Sequence, residues 1–415
     1  MSELYDLFTE HPRISTDSRR IEPDSIFFAL HGANFDGNRF ARAALELGAA
    51  AAVVNDRELY DSSPELHGRL FLVDDTLTAL QNLAREHRNA LAIPIIGIVG
   101  SNGKTTTKEL VAAVLAEKYE IYATRGNLNN HIGVPLTLLS MTHDTELGIV
   151  EMGASACGEI ALLSSVAQPN YGIVTNIGRS HLEGFGGTEG IRRGKGELFD
   201  FLDAHGGRAF VRQDDQTLVG MAVERDAMAV EYYPASLADG FRSRLAGDYN
   251  RFNIAAAVAI GRYFGVDEER MRSAIADYEP TNNRSQRVVT QRNTLIVDCY
   301  NANPTSMEAS LRNFLAEPLA SRSHRVAILG DMLELGEWSE QEHRAIATLA
   351  ADSAECETIF VGDLFAAIAG DYPDSRFFAS RAELEHYLAE HPVGDSLVLV
   401  KGSHGIGLDK LLPIL

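Results

Sequence analysis

The sequence predicts an α/β protein of three domains. Short apolar strands alternate with helices along most of the chain, a pattern that buries a parallel sheet beneath helices. A glycine-rich turn at residues 100–107 joins an apolar run to a helix. A polar, turn-rich stretch, Glu279–Ser285, precedes a restart of the same alternation.

Taken in order, residues 1–88 read as a small α/β domain. It has a strand at Ile26–Leu30, a turn at Gly32–Asn38, a helix at Phe40–Leu47 and a strand at Ala50–Val54. The helix Thr78–Asn89, ahead of Pro94, marks a boundary. Residues 89–284 read as a central parallel-sheet domain. Its strands are expected at Ala92–Val99, Glu120–Thr124, Leu147–Met152 and Tyr171–Asn176. Its helices are expected at Thr105–Glu117, Glu159–Ser165 and Thr188–Leu202, closed by Asn250–Phe264 and Asp267–Asp277. Residues 285–415 read as a third, Rossmann-like domain with strands at Leu295–Cys299, Arg325–Leu329, Thr358–Val361 and Leu397–Val400. Ligands in such sheets bind beyond the carboxyl ends of the strands.

Composition narrows the function. A chain of 415 residues with 45% hydrophobic and 23% charged content has ample core for several domains. Its net charge of −21 argues against a nucleic-acid partner. No apolar run has the length of a membrane span. The opening Met-Ser-Glu-Leu-Tyr-Asp lacks the layout of a signal peptide, so a cytoplasmic location is expected. Cys157, Cys299 and Cys356 are scattered and read as reduced thiols.

The sharpest chemistry lies in Gly97-Ile-Val-Gly-Ser-Asn-Gly-Lys-Thr-Thr-Thr107. The common phosphate-loop pattern, G-x-x-x-x-G-K-[ST], needs glycine where Ile98 stands. The turn here is the shorter Gly100-x-x-Gly103-Lys104-Thr105. Backbone N–H groups of Gly100, Ser101, Asn102, Gly103 and Thr106 and a helix N-terminus suit phosphates, Lys104 suits the outer phosphates, and Thr105 suits Mg²⁺. Glu151 ends an apolar run, where a carboxylate either holds Mg²⁺ or caps a strand in solvent. His181 stands in a glycine-rich loop and Lys195 on the next helix; taken singly, each reads equally as an ordinary loop histidine or a solvated lysine. Asp298, in Asp298-Cys-Tyr-Asn-Ala-Asn-Pro304, is either a pocket rim or a turn cap.

In this order these segments resemble the Mur ligases, the ATP-dependent amide ligases of bacterial cell-wall precursor synthesis. The resemblance also rests on Gly126-Asn-Leu-Asn-Asn130, Lys195-Gly-Glu, Gly247-Asp-Tyr-Asn-Arg-Phe-Asn253 and Arg284. Within the family it is closest to the members that join D-alanyl-D-alanine to UDP-N-acetylmuramoyl-tripeptide. That closeness rests on Asp298–Pro304, Gly330-Asp-Met-Leu-Glu-Leu-Gly336, Asn127–Asn130, Asp17-Ser-Arg19 and the segment Phe27–Asn38.

The resemblance implies three domains, a small N-terminal UDP-sugar domain, a central ATPase domain and a C-terminal ligase domain, working as a monomer. It implies ATP held by the loop with Asn250, Asn253, Arg284 and Asp298. One Mg²⁺ would sit at Thr105 and Glu151, and a second at His181 and Lys195, with Lys195 carbamylated. A free lysine, pKa about 10.4, would repel a cation. Asp17, Ser18, Arg19, Asn34, Asp36 and Asn38 would hold the UDP-sugar. Asn127, Asn129 and Asn130 would line the peptide channel, and Tyr300, Asn301 and Asn303 the dipeptide side. The family segment Lys-Gly-Ser-Arg reads Lys401-Gly-Ser-His404 here, so an imidazole stands where a guanidinium is usual.

Rival readings share parts of this pattern. Other Mur ligases and folylpolyglutamate synthases carry the loop and metal residues but not Asn301-Ala-Asn-Pro304 together with Gly330–Gly336. A non-catalytic UDP-sugar-binding protein is opposed by the intact Lys104, Glu151, His181 and Lys195. A P-loop switch or motor ATPase is opposed by the short loop.

Overall fold

The computed structural model describes residues 2–32, 35–280 and 283–415. Three large sheets follow one another along the chain, with a two-stranded antiparallel pair, His31–Gly32 and Phe35–Asp36, beside the first in sequence. The first is fully parallel in the order Ile14–Ser15, Ile26–Phe28, Ala51–Val54, Leu70–Leu72. The second is also parallel, in the order Ala229–Tyr233, Arg208–Arg212, Tyr171–Val174, Ile95–Val99, Leu147–Glu151, Ile121–Ala123. The third runs Gln286–Val289, Asn293–Asp298, Ser396–Lys401, His324–Gly330, Glu357–Val361, Arg376–Phe378, parallel except for its antiparallel first edge.

Side-chain alternation explains why helices cover both faces of the central sheet. Ile96, Ile98, Ile149, Ile173 and Phe210 face one core with residues of helices Lys104–Ala116 and Asn250–Tyr263. Val99, Val150, Val174 and Val211 face the opposite core with residues of helices Glu159–Ala167 and Thr188–Ala204. Strands buried on both sides read as unbroken apolar runs, which is why Ile95–Val99 and Leu147–Glu151 were visible in the sequence.

Other elements differ from the expectation. The central sheet has six strands, not the four expected. Arg208–Arg212 and Ala229–Tyr233 escaped notice because Arg208, Arg212 and Glu231 interrupt their apolar pattern. The expected strand at Ala92 starts only at Ile95, because Ala92 adopts a left-handed backbone (φ 52°) that caps helix Thr76–Leu91. The strand Tyr171–Val174 stops short of Asn176, because the next residues turn to brace the phosphate loop. The expected linker Glu279–Ser285 includes Thr281 and Asn282, which lie outside the described residues. No helix among the described residues is long and apolar enough to cross a membrane.

Helix Thr76–Leu91 joins the first two sheets. Thr76 Oγ1 donates to Ala29 O at 3.0 Å at one end, and Arg88 donates to Ala167 O at 3.2 Å and Asn170 Oδ1 at 2.8 Å at the other. Buried His87 lies between Tyr5 of the first domain, whose hydroxyl is 3.3 Å from Nδ1, and Met141 O of the second, 2.9 Å from Nε2.

Candidate active site

The phosphate loop follows the strand Ile95–Val99 where the central sheet's order switches, the crevice that favours ligands in such sheets. Two glycines make the turn possible. Gly100 has φ 150°, and a Cβ there would meet Thr175 Oγ1 at 1.9 Å. Gly103 has φ 76°, and a Cβ there would meet Asn253 Oδ1 at 2.5 Å. Both positions combine a backbone that side chains disfavour with no room for one.

The loop is braced from the neighbouring strand end. Asn176 accepts from Asn102 N at 3.1 Å through Oδ1 and donates from Nδ2 to Asn102 O at 3.0 Å. Thr175 Oγ1 donates to Asn102 O at 2.6 Å, and Ser101 Oγ donates to Gly178 O at 2.9 Å. Asn253 sits behind the loop, accepting from Thr107 Oγ1 at 3.1 Å and donating to Asn250 Oδ1 at 2.8 Å. Asn250 donates in turn to Ala246 O at 2.7 Å.

A cavity of about 810 Å³ opens over the loop and extends to the C-terminal domain. Its wall includes Ser101–Thr106, Asn129, Asn130, Glu151, His181, Asn250, Asn253, Arg284, Asp298, Tyr300, Asn301 and Asn303. That volume lies in the range of small-molecule sites, about 300–1,000 Å³. Lys104 Nζ donates to Gly100 O at 2.7 Å and Ser101 O at 3.2 Å. Desolvation lowers its pKa to about 8, opposed by the Glu151 carboxylate.

Glu151 is buried. Its Oε1 accepts from Thr105 Oγ1 at 3.2 Å and Asn129 Nδ2 at 2.9 Å, while Oε2 has no hydrogen-bond partner. A buried carboxylate oxygen left unpaired beside a threonine hydroxyl fits a hard cation that takes its remaining ligands from phosphates and water. Among the described residues no three or more His, Cys, Asp or Glu gather as a metal-ligand group, so a cation here would be bound mainly by ligand and solvent oxygens.

Lys195 is buried behind the cavity wall. Its Nζ donates to Ala154 O at 2.8 Å and lies 4.7 Å from the centre of the Phe185 ring. Burial first, and the nearby Lys104 charge second, hold its pKa well below the usual lysine value. His181 lines the cavity with a left-handed backbone (φ 51°), and its Nδ1 meets the carboxylate of Glu334 from the C-terminal domain.

The C-terminal side of the cavity has its own scaffold. Asp298 ends the strand Asn293–Asp298, accepts from Ser285 N at 3.2 Å, and pairs with buried Lys401 at 2.6 Å. Arg284 stacks over the Tyr300 ring at 3.9 Å. Asn303 caps helix Pro304–Ala316 through Ser306 N at 2.9 Å and donates to Asn102 Oδ1 at 2.7 Å, so it ties this domain to the phosphate loop. Asn301 Oδ1 accepts from Ala302 N at 2.9 Å, and the ring of His404 lies 6.1 Å from that of Tyr300.

Other candidates stand apart. No described residue of 1–88 lines the cavity, and neither does exposed Asn127. Asp17 pairs with Arg19 at 2.8 Å, which lowers its pKa to about 2, and Ser18 lies between them in the chain. Asn38 is buried and bonded internally to Asp36 at 2.9 Å and Asn55 at 2.8 Å, which makes it scaffolding for its loop. Asn34 lies outside the described residues. Asn130, by contrast, is on the cavity wall and accepts from Gly133 N at 2.9 Å, just ahead of helix Gly133–Leu139. The sequence reading missed Thr175, Arg212, Tyr249, Phe252 and Lys401, all set near this site by tertiary contact. Tyr249, Phe252 and Lys401 carried a signal, since the first two lie in the segment Gly247–Asn253 and the third opens Lys401–His404.

Comparison with known proteins agrees with the three-sheet layout. Three family models match in chain order: "Mur ligase family, catalytic domain" at residues 12–88, "Mur ligase middle domain" at 98–244, and "Mur ligase, glutamate ligase domain" at 283–404. A UDP-N-acetylmuramoyl-tripeptide–D-alanyl-D-alanine ligase of Bacillus subtilis is 35% identical over 96% of this chain and 92% of its own. The structure of MurF from Acinetobacter baumannii superposes with a TM-score of 0.84 at 29% identity, covering 97% of this chain and 92% of its own. The MurF ligase of Thermotoga maritima, solved with ADP, shares the fold at a TM-score of 0.83 and 24% identity, covering 100% of this chain and 98% of its own. A relative this similar across nearly the full length leaves one assignment, and the chain belongs to the Mur ligase family.

Proposed function

We propose that this protein joins D-alanyl-D-alanine to the terminal carboxylate of UDP-N-acetylmuramoyl-tripeptide, turning ATP into ADP and phosphate. The observation that carries the reading is Glu151 beside Thr105, with one carboxylate oxygen unpaired at the mouth of the phosphate loop. The names of the similar ligases supply the substrates.

A carboxylate is a poor electrophile and must be activated. Its oxygen attacks the γ-phosphorus, the bond to ADP breaks, and an acyl phosphate forms. The amine of the dipeptide then attacks the acyl carbon, the C–O bond to phosphate breaks, and the departing phosphate takes the amine's proton. The Ser101–Thr106 backbone and Lys104 hold the phosphates and offset charge at the transferring group. Thr105 and Glu151 would hold Mg²⁺, which would supply further charge neutralisation. Asn250, Asn253, Arg284 and Asp298 hold the nucleotide between two domains. Residues 1–88 hold the UDP-sugar, 89–284 the nucleotide, and 285–415 bring the dipeptide, in the cytoplasm. Closure of the domains keeps water from the acyl phosphate.

Lys195 acts as a carbamate, and its environment supports this. Only a neutral amine adds CO₂, forming an N–C bond and releasing a proton, and burial keeps this amine neutral at lower pH than usual. The product carries a carboxylate suited to a cation. Lys195→Ala is expected to abolish turnover, with partial recovery by small carboxylic acids; undiminished activity in the variant refutes the carbamate.

The ligase reading is tested by phosphate release with ATP, Mg²⁺ and UDP-N-acetylmuramoyl-tripeptide. Release is expected to depend on added D-alanyl-D-alanine. Release at one rate with and without the dipeptide sinks the assignment.

A further inference from the structure

The loop that carries His181 is held by the C-terminal domain on several sides. Arg179 donates to both carboxylate oxygens of Glu342, at 3.1 and 2.8 Å, and to Glu308 at 3.0 Å. Arg179 N donates to Thr305 Oγ1 at 2.9 Å. Between these clamps the His181 Nδ1 meets the Glu334 carboxylate, and Glu183 N reaches Glu334 O at 3.4 Å. His181 and Glu334 both have left-handed backbones, φ 51° and 63°, although neither is glycine. Strained non-glycine backbone persists where surroundings over-determine it, commonly at functional sites.

Glu334 belongs to the Gly330–Gly336 segment, to which the proposed reaction assigns no task. Nδ1 is buried in ion-pair contact with the Glu334 carboxylate and has no other polar partner among the described residues, which leaves Nε2 as the nitrogen open to a cation. A carboxylate on the far ring nitrogen fixes the tautomer and orientation of a metal-binding histidine and raises its basicity.

We infer that Glu334 is a positioning residue for His181, supplied across the domain boundary, so that the imidazole is set for the nucleotide's cation only when the C-terminal domain has closed. The inference rests on the proposed reading of His181 as a cation ligand. It makes domain closure and assembly of that ligand one event.

The test uses the full chain with a non-hydrolysable ATP analogue and Mn²⁺ followed by electron paramagnetic resonance. Glu334→Ala is expected to weaken the His181-dependent Mn²⁺ site by about 10–100-fold, the usual scale for losing such a partner. Glu334→Asp should recover part of that loss. The double variant His181→Ala/Glu334→Ala should bind Mn²⁺ no more weakly than His181→Ala alone. Imidazole ¹⁵N shifts should show the Nδ1–H tautomer of His181 in the parent protein and its loss in Glu334→Ala. The Glu334 side chain is 59% exposed, so the variant is expected to fold, with an unchanged thermal midpoint. If His181→Ala weakens Mn²⁺ binding and Glu334→Ala does not, the inference is overturned and the ligase reading stands. If neither variant changes Mn²⁺ binding, the inference falls together with the cation role of His181, while dipeptide-dependent phosphate release still judges the ligase reading.

Discussion

Lys104 illustrates how a single residue acquires its chemistry from its surroundings. Its ammonium is folded back onto the carbonyls of Gly100 and Ser101, which fix where it points. Under the proposed reaction, Lys104→Ala removes a preorganised cation at the transferring phosphoryl group. The expected loss in kcat is about 10²–10³-fold, the scale for losing one such donor, read by steady-state phosphate release with an unchanged circular dichroism spectrum. Gly100→Ala makes the opposite kind of test. The added Cβ would strike Thr175 Oγ1, so the loop must shift and the variant is expected to lose nucleotide affinity, measured by calorimetry with ADP. Wild-type affinity in Gly100→Ala would show that the turn is more yielding than its geometry implies. Lys104, Thr105 and Glu151 could be singled out in the sequence because what marks them is local: a turn, a helix start and a strand end. Asn38 and Asn303 were less so. Their amides were read as substrate contacts, and the fold commits them to Asn55 and to the cap of Pro304–Ala316.

At the scale of elements, helix Thr76–Leu91 is both the join between domains and a source of pH dependence. Burial lowers the pKa of His87 below its ordinary value, with the carbonyl of Met141 opposing. The sign follows directly. The unfolded chain, with an ordinary histidine pKa of about 6.5, binds the proton more tightly than the folded one. Stability is therefore complete above that value and falls as pH drops through it toward the lower folded pKa. The denaturation midpoint of the parent protein is expected to fall between pH 7.5 and 5.5, and His87→Gln to fall less over the same interval. Equal pH dependence in both proteins would exclude His87 as a source. The same helix shows why element boundaries resist sequence reading. Its apolar pattern runs into the next strand, and only the left-handed turn at Ala92 separates them. The strands Arg208–Arg212 and Ala229–Tyr233, the second of which is the sheet's edge, were invisible for a related reason, since exposed strand ends tolerate charge.

The whole molecule works through the contact between its second and third sheets. Glu342 is buried and, among the described residues, its carboxylate meets one cation, Arg179, which comes from the other domain. Removing Arg179 leaves that carboxylate unpaired, a cost of about 1–3 kcal/mol for the closed arrangement. Arg179→Ala is expected to open the molecule, seen as a larger radius of gyration by small-angle scattering, and to lower kcat about tenfold. An unchanged radius would mean that the Asn102–Asn303 pair suffices to hold the domains.

The sequence by itself determined the fold class, the phosphate loop and the family. Those properties depend on short-range order: apolar periodicity, a glycine turn, a lysine and threonine at a helix start, and motifs in a fixed succession. Tertiary structure alone decided which of the marked residues meet. It brought Glu151 to Thr105, Asn303 to Asn102, Lys401 to Asp298 and Glu334 to His181, and it left Asp17, Arg19 and Asn127 outside the cavity. The physical reason is that such pairings join residues from different strand ends and different domains. Their distances are set by sheet order and by how the domains close, and neither is written in the spacing along the chain.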